Sequence, residues 1–172
     1  AMTESRFASL YAHLSAMEIL EFNGELMGLD IKTIHTRGEE LLAKLNLLDR
    51  QGERIINFSK GMKQRLSLVC ALLHDPDLVI LDEPATGLDP FGRGLVKAII
   101  MELKQRGKSV LFSSHHLGEV EEVSDRVGIL VNGTLKVDIK TGDWRTLKTI
   151  KGQNFNSLEQ FFMESQEEAP NE

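Results

Sequence analysis

The stretch from Leu78 to Pro90 constrains the fold more than any other part of the chain. Leu78 to Leu81 are apolar without interruption and have an aspartate on either side. A short apolar run of this kind is typical of a strand that is buried on both faces, as in a parallel sheet. Asp82 and Glu83 follow at once, and Pro84 prevents the strand from continuing. We therefore expect a buried strand that ends in two adjacent carboxylates.

The position of these carboxylates suggests a chemical role for them. In open α/β sheets, ligands bind beyond the carboxyl ends of the strands. One acid at such a place can hold a divalent cation, and its neighbour can orient or deprotonate a water molecule. For an isolated apolar strand followed by Asp82 and Glu83, a plain polar turn is the simpler interpretation, so the functional one depends on the motifs on either side.

A helix with an exposed, capped N-terminus is predicted upstream of this strand. Its apolar positions recur at helical spacing (Met62, Leu66, Val69, Cys70 and Leu73). Ser59 is a good N-cap, and Lys60 and Gly61 leave backbone N–H groups without partners in the first turn. Such a terminus attracts phosphate through those donors and the helix dipole, although simple capping is the more common role of a serine there.

The remaining elements are predicted from periodicity and turn residues. Ala16 to Leu29 and the segment that Asp30 caps have helical spacing and would form a helical hairpin with a charged, solvated face. After Pro90 we expect a helix over 91–106, a strand over 109–112, an acidic helix over 117–123, two strands of a hairpin around Asn132-Gly133, and a short helix over 157–165.

Charge and cysteine content exclude several classes of protein. The net charge is −6, and the stretch from Gly152 to Glu172 holds five acids and no basic residue, so the rest of the chain is almost neutral and has no basic surface for nucleic acid. Cys70 is the single cysteine, which excludes an internal disulfide and suits a reducing compartment. No apolar run approaches the roughly 20 residues of a membrane helix. We expect a cytoplasmic chain.

His115 and His116 follow the second predicted strand and raise the question of a metal site. Adjacent side chains point in different directions, and no cysteine or third histidine is near them in the sequence, so a metal pair is disfavoured. A histidine at the end of a strand fits better as a polar group directed into the same crevice as Asp82 and Glu83, although a surface histidine is the simpler alternative.

Four motifs in this order resemble those of the ATP-binding-cassette (ABC) ATPases. The segment 58–65, Phe-Ser-Lys-Gly-Met-Lys-Gln-Arg, is similar to the family's signature, and Leu78 to Glu83 is similar to its Walker B strand. Thr86 to Asp89 resembles the D-loop, and Ser113 to His115 resembles the switch-histidine loop. The residues of these motifs are most similar to those of the exporter-type branch, where a lysine and a methionine often flank the signature glycine.

The resemblance implies a fold class and a division of the chain. The expected fold is an α/β, truncated P-loop NTPase with a helical subdomain, a partial parallel sheet and a C-terminal β-hairpin. Residues 1–150 would form a partial nucleotide-binding domain, with the helical and signature part over about 15–75 and the Walker B to switch-histidine part over 76–150. Residues 151–172 would be an acidic tail.

The resemblance also implies that ATP and Mg²⁺ are the cofactors of the intact protein. In the signature, Ser59 and Gly61 would bind the γ-phosphate of an ATP molecule held by a second ATPase domain. Lys60 and Gln64 belong to the same motif and would contribute to nucleotide binding.

The other implied roles concern hydrolysis. Asp82 would hold Mg²⁺, and Glu83 would orient or deprotonate the attacking water. His115 would contact the γ-phosphate, and Asp89 would couple the two ATPase domains.

Two departures from the family pattern affect these expectations. Glu4 occupies the place of the Q-loop glutamine, so an acid would stand where the family has a neutral amide. No Gly-x-x-x-x-Gly-Lys-[Ser/Thr] phosphate loop is present, and the nearest string, which begins at Gly87, follows a turn rather than a buried strand. We therefore expect a fragment that begins near the Q-loop and does not hydrolyse ATP alone.

The expected partners are a second ABC ATPase domain and a transmembrane permease. The permease would hold the chain at the inner face of the membrane. No nucleic acid is expected as a partner. Two alternatives from other classes remain open. One is a non-transporter ABC ATPase, although such proteins usually carry a second cassette, long coiled coils or basic patches. The other is a non-catalytic interaction module built on an incomplete cassette.

Overall fold

The computed structural model of the protein describes residues 12–141 and 158–167. The chain divides into two compact units, residues 1–114 and 115–172. The Glu4 assignment lies outside the described residues, and so do residues 151–157 and 168–172 of the predicted tail. None of the described helices has the length and apolarity needed to span a bilayer.

The predicted helical hairpin is confirmed. It consists of α1 (Ala16–Leu26) and α2 (Ile31–Lys44), and Asp30 caps the second helix through the backbone N–H of Thr33. Before α1, Ser15 and Glu18 form a capping box, in which each side chain accepts a hydrogen bond from the other residue's backbone N–H. These caps set the start of each helix.

The third helix, α3 (Lys60–Leu72), begins at the predicted cap and packs on the hairpin. Two short 3-10 helices, Leu48–Arg50 and Ile55–Asn57, connect it to α2. The three helices share a core of fully covered aliphatic side chains (Ile19, Leu20, Ile34, Leu42, Leu66 and Val69). This core fixes the direction in which the N-terminus of α3 points.

The parallel pairing of the two central strands is also confirmed. Strand β1 (Leu78–Leu81) pairs with β2 (Ser109–Phe112), and α4 (Pro90–Gln105) connects them. The prediction that β1 is buried on both faces is wrong, because Leu78 and Ile80 are 57% and 63% exposed. Side chains alternate between the faces of a strand, and the described part of the chain covers only the face of Val79 and Leu81.

The second unit contains the predicted hairpin. Helix α5 (Leu117–Val123) is followed by β3 (Arg126–Val131) and β4 (Thr134–Lys140), which pair antiparallel. Asn132 and Gly133 between them have φ values of 49° and 74°, the pair of positive angles that a type I′ turn requires. Helix α6 (Leu158–Glu167) contacts α5. The α/β fold class with a helical subdomain, a small parallel sheet and a hairpin is confirmed.

Candidate functional site

Two carboxylates lie in the turn that follows β1. Ser113, the first residue after β2, connects them: its hydroxyl donates to Oδ1 of Asp82 over 2.6 Å and accepts from the backbone N–H of Glu83 over 2.8 Å. The strand ends meet because the parallel register pairs Leu81 with Phe112. Both acids are therefore held at one edge of the sheet, as the sequence predicted.

The backbone of Glu83 is in the left-handed conformation, with φ at 47°. Residues with a Cβ adopt this region infrequently, and it has to be stabilised by surrounding contacts. The carbonyl oxygen of Glu83 accepts from the backbone N–H of Thr86 over 3.1 Å, and its Oε2 accepts from the Thr86 hydroxyl over 2.7 Å. The Glu83 side chain is thus anchored within its own turn.

The helix α3 is joined to this acidic turn by a side-chain amide. Nε2 of Gln64 lies 3.4 Å from the carbonyl oxygens of both Glu83 and Pro84 and donates to them. The amide of Gln64 is therefore used in a contact between the signature helix and the turn. Its predicted role toward a nucleotide stays a prediction.

Two glycines allow the N-terminus of α3 to lie close to the segment 86–89. A Cβ on Gly61 would lie 3.2 Å from Cδ2 of Leu88, which is a tight contact. Gly87 has a φ of 75°, and a Cβ there would lie 3.3 Å from Cε of Lys60. The glycine at 61 therefore permits a close approach, and the glycine at 87 permits a backbone conformation that other residues seldom adopt.

Ser59 presents an exposed hydroxyl at this helix terminus. Its oxygen accepts from the backbone N–H of Met62 over 3.2 Å, which is the predicted N-cap. A hydroxyl has one proton and two lone pairs, so capping leaves the proton of Ser59 available to another acceptor. The capping interpretation and a phosphate contact are therefore compatible.

Arg65 anchors the same helix to the end of α2. Its Nη1 donates to the carbonyl of Leu45 over 2.8 Å, and its Nε donates to the carbonyl of Gly61 over 3.3 Å. Burial lowers the pKa of Arg65, while the negative charge of Asp89 opposes this change. Arginine side chains are not deprotonated in folded proteins, so the guanidinium carries its charge at neutral pH.

Asp89 has a local structural role in addition to the predicted coupling role. It is the N-cap of α4, and its Oδ1 accepts from the backbone N–H of Gly92 over 2.7 Å. The cap is combined with a proline at the first helical position, which suits a helix start. Coupling to a second domain stays a prediction for this residue.

His115 belongs to the second unit, where it lies next to His116 with the ring centroids 4.2 Å apart. Its expected direction toward the crevice of Asp82 and Glu83 stays a prediction. Within residues 12–141 and 158–167, no group of three or more His, Cys, Asp or Glu side chains is arranged to hold a metal ion.

Sequence reasoning missed two hydroxyl residues of the site. Thr86 lies three residues after Glu83, a spacing at which a turn brings two side chains together. Ser113 is the residue after β2, and the parallel register could have placed it next to Asp82, since carboxyl ends of parallel strands meet. Thr86 lies in the segment that resembles the D-loop, and Ser113 lies in the segment that resembles the switch-histidine loop.

Comparison with known proteins is consistent with this geometry. The family model described as "ABC transporter" matches residues 3–86. An uncharacterized ABC transporter ATP-binding protein of a Nostoc species is 38% identical over 157 residues, which cover 81% of this chain and 47% of that protein. A solved ATP-binding subunit of an ABC transporter is 34% identical with a TM-score of 0.79, over 90% of this chain and 63% of the other. The chain belongs to the ABC transporter ATP-binding family.

A third relative is the linearmycin resistance ATP-binding protein LnrL of Bacillus subtilis. It is 38% identical over 127 residues, which cover 74% of this ABC chain and 41% of LnrL. The chain thus spans about half the length of the curated relatives that it matches, 47% and 41% for the two described.

The oxygen and N–H groups of the site fit the cofactors that this family uses. Mg²⁺ prefers oxygen ligands and is usually held by one or two carboxylates together with phosphate oxygens and water, and Asp82 offers an exposed carboxylate of this kind. Phosphate is bound by helix N-termini, and α3 presents its first N–H groups beside the Ser59 hydroxyl.

Proposed function

We propose that this chain is part of the ATP-binding subunit of an ABC transporter, and that ATP hydrolysis in the complete protein drives export of a substrate. The family membership supports the first statement. The direction is supported by the form of the signature, with Lys60 and Met62 beside its glycine, and by the relative named for linearmycin resistance, since removal of a compound is one route to resistance.

The observation that carries the proposal is the contact between α3, whose N-terminus holds Ser59 and Gly61, and the turn that holds Glu83. The amide of Gln64 reaches from α3 to the carbonyl oxygens of the turn that holds Glu83. A γ-phosphate that contacted Ser59 and the N–H of Gly61 would therefore contact a helix whose position depends on the turn that holds Glu83. In a dimer of two ATPase domains, this would connect nucleotide bound by one domain to the catalytic turn of the other.

The chemistry proposed for this turn is phosphoryl transfer to water. Glu83 would accept the proton of the attacking water or orient it, with its own carboxylate held by Thr86. Asp82 would hold Mg²⁺, which neutralises charge on the phosphates when it is bound. His115 would contact the γ-phosphate. Positioning and charge stabilisation account for most of the rate enhancement in this class of reaction.

The proposed partners are a second ATPase domain and a transmembrane permease, which would place the chain on the cytoplasmic side of the membrane. Exposed apolar side chains surround the connection between α1 and α2 (Phe22, Leu26, Met27 and Ile31, between 43% and 69% exposed). Apolar side chains exposed close together often mark a protein contact. We propose that this end of the helical hairpin contacts the permease.

The test is calorimetry with ATP and Mg²⁺, followed by a hydrolysis assay. The 172-residue chain holds no phosphate-loop motif, so we expect it to bind no ATP. A full-length subunit that includes such a loop should bind and hydrolyse ATP. Glu83→Gln should retain binding and lose hydrolysis by at least about a hundredfold, the contribution usual for a general base.

Glu39→Gln is the matched control, because it makes the same chemical change at an exposed position of α2. It should leave hydrolysis unchanged. Tight ATP binding by the 172-residue chain would contradict the expectation that it does not bind nucleotide. Full activity of Glu83→Gln would contradict the role of Glu83.

A further inference from the structure

The residue after β2 is placed by the sheet itself beside the two acids. The backbone N–H of Ser113 donates to the carbonyl oxygen of Leu81 over 3.0 Å, which extends the parallel ladder by one bond beyond the paired strands. Ser113 therefore stands opposite the point where the chain passes from β1 into the turn of Asp82 and Glu83. Its location therefore depends on the pairing of the two strands.

One hydroxyl makes two different hydrogen bonds at this point. It donates to Oδ1 of Asp82 and accepts from the backbone N–H of Glu83. Since a serine hydroxyl has a single proton, these two bonds fix both its rotamer and its direction of donation. A hydrogen bond from a hydroxyl to a carboxylate is also among the stronger kinds.

The two bonds act on the two acids in different ways. On Asp82 the bond engages one carboxylate oxygen and so orients the other. On Glu83 it engages the backbone N–H of a residue whose φ is 47°, while Gln64 and Thr86 engage its carbonyl oxygen. The peptide groups on both sides of Glu83 are thus held in the left-handed conformation from which its side chain emerges.

We propose that Ser113 is a positioning residue that sets the orientation of both acidic residues for ATP hydrolysis. This inference rests on the proposed function for its catalytic consequence, but the contact itself does not depend on nucleotide. Alanine at 113 would remove both hydrogen bonds. Threonine would keep the hydroxyl, and the exposed position has room for the added methyl group.

The first measurement is the exchange of the Glu83 amide proton with water, followed by NMR in the 172-residue chain. Ser113→Ala should raise this exchange rate by about tenfold, which corresponds to about 1.4 kcal/mol. Ser113→Thr should restore the original rate. Ser109→Ala, the same change at the exposed start of β2, should leave the rate unchanged. An unchanged rate in Ser113→Ala would overturn the proposal.

The second measurement is ATP hydrolysis by the full-length subunit. Ser113→Ala should lower kcat by about tenfold and leave KM within a factor of about two, since only the hydrolytic step depends on the acids' orientation. Ser113→Thr should recover most of kcat. A threonine variant as slow as the alanine variant would show that the hydroxyl is not responsible, and would overturn the proposal.

The two proposals fail in distinguishable ways. A full-length wild-type subunit without ATP hydrolysis would overturn the proposed function and the catalytic consequence of Ser113, while the amide exchange would still decide whether Ser113 holds Glu83. An active wild type with an equally active Ser113→Ala variant would overturn the inference alone.

Discussion

The Thr86 hydroxyl donates a 2.7 Å hydrogen bond to Oε2 of Glu83 within a single tight turn. The donor belongs to the segment that resembles the D-loop, and the acceptor is the proposed base. A base works best when a third group orients it, which is the arrangement found in many nucleophile–base pairs. The position of the D-loop segment therefore affects the carboxylate directly.

We expect Thr86→Val to lower kcat of the full-length subunit by about tenfold, because the hydrogen bond that orients Glu83 is removed while the side-chain shape is kept. KM for ATP should change little. Thr86→Ser retains the hydroxyl and is the control, and it should keep most of the activity. Steady-state kinetics of the three proteins would check this, and equal kcat values for wild type and Thr86→Val would contradict it.

Gly24 allows α1 and α2 to approach each other. A Cβ at this position would lie 2.5 Å from Cγ1 of Ile34, a distance that requires the core to shift. We expect Gly24→Ala to lower the free energy of unfolding by about 1 kcal/mol, since overpacking at about 1–3 kcal/mol exceeds the gain of about 1 kcal/mol in helix propensity. Urea unfolding followed by circular dichroism measures the change.

Gly94 provides the matched control for this prediction. It lies inside α4, and a Cβ there would have no heavy atom within 4 Å. Gly94→Ala should therefore raise the free energy of unfolding by about 0.5–1 kcal/mol through helix propensity alone. Equal shifts for the two substitutions would show that the close approach at Gly24 is not limiting.

The sequence predicted most elements because their determinants are local. Ser59 and Asp30 cap helices where their spacing to apolar residues indicates a start, and Asn132-Gly133 defines the hairpin turn with its two positive φ values. The capping box of Ser15 and Glu18 is equally local, since the pattern Ser-x-x-Glu indicates it in the sequence.

The details that depend on tertiary contacts could not be predicted in the same way. The apolar run of β1 indicated burial on both faces, but burial depends on which elements cover each face, and Leu78 and Ile80 are exposed. Gly38 on α2 is buried, and a Cβ there would lie 3.1 Å from Cδ1 of Leu20, a close contact that depends on how α1 and α2 pack. The contacts of Ser113 could not be predicted from local sequence, because they depend on the register between β1 and β2.

An ion pair joins the helical subdomain to α4, and we expect it to be weak. Nζ of Lys44 lies 2.6 Å from Glu102, and the two side chains are 32% and 37% exposed. The hydrogen bond to Glu102, and then that to Glu40, raises the pKa of Lys44, so this contribution is present at neutral pH and is lost as the pH rises through that raised pKa. A double-mutant cycle of Lys44→Ala and Glu102→Ala should give a coupling of about 0.5 kcal/mol.

The coupling should fall further at about 1 M salt, where exposed charges are screened. A cycle that combines Glu102→Ala with Lys32→Ala, a lysine at the other end of α2, should give no coupling. A coupling energy between Lys44 and Glu102 above about 2 kcal/mol that does not fall at high salt would contradict the expectation that this partly exposed pair is weak.

Cys70 on α3 should react slowly with thiol reagents in the folded chain. Burial raises the pKa of its thiol from 9.0 to about 12. At pH 8 the reactive thiolate is therefore much rarer than in the unfolded chain, although the Cys70 side chain is only partly buried, and the higher nucleophilicity of a more basic thiolate recovers part of the lost reactivity. We expect alkylation by iodoacetamide to be at least about 30-fold slower than in urea.

The same shift determines how this thiol affects stability as the pH rises. The folded pKa is above the unfolded one, so above pH 9 the unfolded chain has lost a proton that the folded chain still holds. The contribution of Cys70 to stability is therefore complete below pH 9 and decreases between pH 9 and 12. Cys70→Ala should show a smaller fall in the urea midpoint from pH 8 to pH 10 than the wild type. Equal falls in the urea midpoint of both proteins, together with rapid alkylation at pH 8, would show that the thiol is accessible and that its pKa is not raised.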